Sequence, residues 1–123
     1  MASIRAPRVL AAGVLAAALL QSAAEAHAIV VESTPAAGQS VAGPDVAVRL
    51  RFNSRIDHER SRLTLLDPAG ESRPLAIDAG GGDDVLTGRA NGLAAGAYRL
   101  RWQVLAVDGH ITRGEVPFTV ARP

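Results

Sequence analysis

The chain reads as an all-β protein, a small β-sandwich or Greek-key barrel. Three observations carry this. Apolar and polar residues alternate at period two along short segments, the pattern of a strand with one buried face. Clusters of Gly, Pro, Asp and Asn punctuate those segments at near-regular intervals. Beyond the first residues, no stretch carries the spacing of an amphipathic helix. Seven strands in roughly 100 residues are expected.

The chain opens on a different kind of segment. Arg5 and Arg8 precede an uncharged apolar run from Val9 to Leu20, then Gln21, Ser22 and small residues. That is the pattern of a cleavable secretory signal. The run is short of the roughly 20 apolar residues that a membrane-spanning helix needs. Two cuts fit the small-residue rule. Ala24-Glu25-Ala26 would free His27, and Ser22-Ala23-Ala24 would free Glu25. The first is favoured, giving a signal over 1–26 and one working domain over 27–123.

The strands follow in order. A weak one is expected over 28–33, ended by Thr34-Pro35-Ala36-Ala37-Gly38. The run 45–52 alternates cleanly, with Val46, Val48, Leu50 and Phe52 on one face and Ala47, Arg49 and Arg51 on the other. Residues 53–60 (NSRIDHER) read as a charged loop. Weak strands are expected over 62–67, 72–77 and 84–89. Asp67-Pro68-Ala69-Gly70, Gly80-Gly81-Gly82-Asp83-Asp84 and Asn91-Gly92 supply turns. The run 97–104 turns Tyr98, Leu100, Trp102 and Val104 one way. The run 114–120 does the same with Val116, Phe118 and Val120. Pro117 falls on the outward face there, which suggests an edge or a bulge.

Composition removes several functions. Of 13 basic and 12 acidic residues, Arg5, Arg8 and Glu25 lie in the expected signal, so the rest carries 11 of each and is neutral. The arginines are scattered and aromatics are few, so nucleic acid has no footprint. There is no cysteine, and the one methionine is Met1. A Cu(I) site built from thioether or thiolate donors is therefore excluded from 27–123. No G-x-S-x-G elbow and no P-loop occurs.

The residues left to carry chemistry are histidines and their neighbours. Asp108 and His110 flank Gly109, and in an extended segment residues two apart project to one side. The same Asp-Gly pair also suits a plain hairpin turn. His27, as a mature N-terminus, offers its α-amine and ring Nδ1 to one ion. With the Asp108 carboxylate and the His110 ring, that makes three nitrogens and one oxygen. Such a set suits Cu(II), with Ni(II) next and Zn(II) separable only by geometry. His58, among Asp57, Glu59 and Arg60, reads as part of a solvated turn, and Asp83-Asp84 as another turn. Two other readings stand beside the metal carrier. One is a small histidine-brace copper oxidase, although Phe52, Tyr98, Trp102 and Phe118 all fall on inward faces. The other is a metal-free sandwich for adhesion or assembly.

Taken together, the motifs resemble a known family. They are the H-A-x-x-x-x-S-x-P opening at His27, R-L-R-F at 49–52, L-T-L-L-D-P-A-G at 63–70, L-A-A-G-A-Y-R-L-R-W-Q-V at 93–104 and D-G-H-I-T-R-G-E-V-P-F-T-V at 108–120. This is similar to the CopC (YobA-like) family of periplasmic copper-resistance proteins, over essentially all of 27–123. The resemblance implies an immunoglobulin-like Greek-key β fold. It implies one Cu(II) held by His27, Asp108 and His110, cleavage before His27, and a CopD-like inner-membrane partner that imports copper. Two departures stand out. The methionine-rich loop that some members use for Cu(I) is absent, which implies the Cu(II)-only subgroup. Ser54 stands where some members carry a glutamate.

Overall fold

The computed structural model describes residues 28–123. Its strands are β1 (Val30–Thr34), β2 (Gln39–Val41), β3 (Val46–Phe52), β4 (Ile56–Leu66), β5 (Ser72–Leu75), β6 (Val85–Ala90), β7 (Gly96–Ala106) and β8 (Ile111–Val120). One sheet runs β1-β3-β6 and the other β2-β8-β7-β4-β5. The chain crosses between sheets after β1, β2, β3, β5 and β6. The sheets pack as a sandwich and do not close into a barrel. Just after β5 the chain touches β6 through an Ile77–Gly88 bridge and the hydrogen bond from Asp78 N–H to Thr87 O at 2.9 Å. The expected signal over 1–26 and the expected ligand His27 lie outside the described residues.

The alternating faces are buried as their pattern requires. Val46, Val48, Leu50 and Phe52 face Tyr98, Leu100, Trp102, Val104, Val116, Phe118 and Val120 across one core. Phe52 meets Trp102 edge-on, with ring centroids 5.2 Å apart, and Tyr98 stacks on Phe118 at 5.7 Å. The Tyr98 hydroxyl donates to Ala94 O at 2.7 Å and fixes the entry into β7. This is the tyrosine corner of immunoglobulin-like sandwiches. Gly114 in β8 lies against the Trp102 indole, and a β-carbon there would sit 2.4 Å from the ring.

Two expectations need correction. Among the described residues eight strands form, not seven. The extra one, β2, is three residues long and pairs parallel with Phe118–Val120. It is too short to display a period. Pro117 sits where this pairing begins: its carbonyl accepts from Gly38 N–H at 2.7 Å, and its missing donor faces away from β7.

Residues 53–60 are also not one loop, because β4 starts at Ile56. Asp57 pairs with Leu105 while Arg62 pairs with Gln103, so β4 takes five steps where β7 takes two. The odd surplus reverses the inward phase from Ile56 to Ser61, Leu63 and Leu65. Ser61, buried at the bulge, donates to Asp57 O at 2.6 Å and accepts from Leu105 N–H at 3.4 Å. A bulged strand carrying four charged residues hides its period, so the sequence shows it as a loop.

Candidate metal centre

The β7–β8 hairpin turns through Val107-Asp108-Gly109-His110. Gly109 N–H donates to Ala106 O, and Ala106 N–H to His110 O, both at 2.9 Å. Gly109 takes φ of 93°, a left-handed position that glycine occupies without strain. The turn and the convergence proposed from sequence are therefore one feature. Tight closure, not an extended backbone, turns the two side chains together.

Asp108 Oδ1 accepts from the His110 backbone N–H at 3.1 Å, and Oδ2 lies 3.1 Å from His110 Nδ1. Both side chains are about half exposed. The backbone hydrogen bond from His110 is the largest influence holding the Asp108 carboxyl below its ordinary value, with the side-chain hydrogen bond and charge of His110 adding to it. Placing Nδ1–H toward the carboxylate leaves Nε2 as the lone-pair nitrogen of the ring. A carboxylate that orients an imidazole in this way is a recurring partner of metal-ligating histidine.

The same end of the sandwich receives the start of the described chain. Ala28 is buried, and Ile29 is tied to Asn53 at both backbone groups, N–H to Oδ1 at 2.8 Å and O to N–H at 2.9 Å. Two residues on, Arg55 O accepts from Val107 N–H at 3.3 Å. The β3–β4 connection therefore bridges the N-terminal segment and the hairpin. His27 is the residue bonded to Ala28. Two hydroxyls at this end, Ser54 Oγ and Thr112 Oγ1, are buried without a hydrogen-bond partner. Ile29, Val107 and Ile111, each more than half exposed, rim it.

The other candidates part company with the hairpin. His58 is not in a solvated turn: it lies half-buried in β4, and its Nε2 sits 2.7 Å from Val85 O. Asp83 and Asp84 do form a turn, whose carbonyls accept from Ile56 and Phe52 N–H. Among the described residues, no three His, Cys, Asp or Glu side chains gather as a metal cluster. Asp108 and His110 are thus two donors of a set that needs more. Sequence reasoning missed the orphaned hydroxyls and the apolar rim, which only packing reveals.

Fold and hairpin together describe a small β-sandwich that offers nitrogen and oxygen donors at one end. A family model of the CopC domain matches residues 30–121. The chain belongs to the CopC family. Copper resistance protein C of Pseudomonas syringae pv. tomato is 37% identical over 119 residues, 89% of this chain and 90% of that protein. Protein YobA of Escherichia coli strain K12 is 28% identical over 113 residues, 89% and 91% of the two chains. Among solved structures, CopC from Methylosinus trichosporium OB3b superposes with a TM-score of 0.68 at 32% identity, over 76% of this chain and 93% of that one. Fibronectin(III)-like modules of Clostridium thermocellum CbhA reach 0.52 at 19% identity, over 79% and 47%, a likeness of fold alone.

Proposed function

We propose that the protein is a copper-resistance carrier that binds one Cu(II), without catalysing a reaction, through the amine and ring of His27, the Asp108 carboxylate and the His110 ring. The observation that carries this reading is the Asp108–His110 pair, held by its turn at the end of the sandwich where the described chain begins. Relatives named for copper resistance add to it. Three nitrogens and one oxygen suit a tetragonal Cu(II) ion. Beyond Met1 the sequence has no thioether or thiolate for Cu(I). In this scheme Asp108 sets the imidazole tautomer before the ion arrives and then turns an oxygen to it.

The scheme places the protein in the periplasm after cleavage at Ala26–His27, and makes a CopD-like inner-membrane importer the receiver of copper. The exposed Ile29, Val107 and Ile111 around the hairpin favour hand-off, because a partner docking there covers apolar surface beside the ion. No helix among the described residues is long and apolar enough to cross a membrane.

The test is a Cu(II) EPR spectrum of the exported, processed protein with one equivalent of copper. One tetragonal signal with hyperfine coupling to several nitrogens is expected. A heterogeneous or aqueous-ion spectrum would sink the proposal.

A further inference from the structure

The outer face of the five-stranded sheet gathers arginines that lie far apart in sequence. Register aligns Arg62 of β4, Gln103 of β7 and Arg113 of β8 in one row across three adjacent strands, and Thr64, Arg101 and Glu115 in the next. Arg99 follows one row further along β7. These four arginines do not share one electrostatic state. Glu115 accepts from Arg101 Nε and Nη2 at 3.1 and 2.9 Å and from Arg99 at 3.4 Å. The recorded partners of Arg62 and Arg113 are neutral. Arg62 donates to the carbonyls of Glu59 and Ser61, and Arg113 Nε to Gln103 Oε1 at 2.7 Å. That bond turns the Gln103 amide oxygen to Arg113 and leaves its N–H groups to offer a ligand.

A depression of about 440 Å³ lies over this row, lined by Arg62, Thr64, Arg101, Trp102, Gln103 and Arg113. No carboxylate lines it. Directly opposed β-carbons across a sheet are about 5 Å apart, so those of Arg62 and Arg113 flank Gln103 at roughly 10 Å. Two flexible guanidinium arms at that separation can close on one oxyanion above the glutamine amide and the Thr64 hydroxyl. Guanidinium forks match phosphate and carboxylate oxygens bidentately, and charge-assisted bonds are the stronger kind.

We propose that Arg62, Gln103 and Arg113 form a binding site for a phosphate-type oxyanion, either a free phosphate or a phospholipid headgroup. The site is on the sheet face, apart from the hairpin, and does not depend on the metal reading.

The experiment uses the protein stripped of metal by chelation, at low salt. Inorganic phosphate and pyrophosphate are titrated by calorimetry. Sedimentation with phosphatidylglycerol vesicles is compared with phosphatidylcholine vesicles. Saturable binding of the free anions, or selective binding of the anionic vesicles, is expected, and which of the two occurs identifies the source. Arg62→Ala and Arg113→Ala should each weaken binding about tenfold. Arg99→Ala, which removes an arginine paired with Glu115 and outside the depression, should leave it unchanged. These side chains are exposed, so thermal melting of the variants should match the parent. Absence of saturable binding in both arms would overturn the site. So would an Arg99→Ala loss equal to that of Arg62→Ala, because binding would then follow diffuse charge.

Discussion

Asp108 and His110 meet across a single glycine, with Oδ2 3.1 Å from Nδ1, while the same carboxylate accepts the His110 backbone N–H. The pair is built by the turn itself. Its geometry therefore exists before any metal arrives, and substitutions within it act on binding more than on folding.

His110→Ala and Asp108→Ala each remove a proposed ligand and are expected to weaken Cu(II) binding by at least the roughly 10–100-fold that loss of a mere orienting partner costs. His58→Ala should leave affinity unchanged, because that ring is occupied with Val85 O in β4. Competition titration against a chelator of known affinity checks all three. An equal loss in His58→Ala would mean that the ligands are elsewhere.

One alanine inserted between Ala26 and His27, with cleavage before the insertion, should abolish tight binding. It removes the chelate between terminal amine and ring while leaving the sandwich untouched. Circular dichroism and melting temperature should be unaltered. Unchanged copper affinity would refute the N-terminal assignment.

Acid titration reports on the hairpin. The folded state holds the Asp108 carboxyl below the ordinary 3.8, chiefly through the His110 N–H. A depressed folded value contributes stability that is fully present above the unfolded value and is lost as pH falls through the folded one. The contribution of the carboxylate to the difference in unfolding free energy between the parent and Asp108→Asn should be fully present at about pH 5. Below about pH 5 the difference should change in the direction of lost parent stability. Denaturant melts across this range measure it. The group is exposed, so the effect is small, and a difference that grows in favour of the parent below about pH 5 would contradict the assignment.

Gly114→Ala is expected to destabilise by about 1–3 kcal/mol through overpacking. Its β-carbon would strike an indole that is itself held against Phe52. Gly109→Ala meets open space, so only its positive φ opposes it, at about 1–2 kcal/mol. Thermal unfolding, followed by the fluorescence of Trp102, separates the two. Only Gly114→Ala should also shift the emission of the native state.

The sequence alone determined which side chains of β3, β7 and β8 face the core. In β3, β7 and β8 the period-two pattern named every buried face, because alternation is a local consequence of strand geometry. Asp108 and His110 were legible for a similar reason, since a D-x-H turn is contained in three residues. The tertiary structure decided what depends on pairing partners. The short β2 exists only because β8 offers it an edge. His58 entered a strand because the bulge in β4 resets the register against β7. Arginines that looked scattered share one face because Arg62, Gln103 and Arg113 come from three strands aligned by register. Alternation states which way a residue points. Hydrogen bonding between distant segments decides what it points beside.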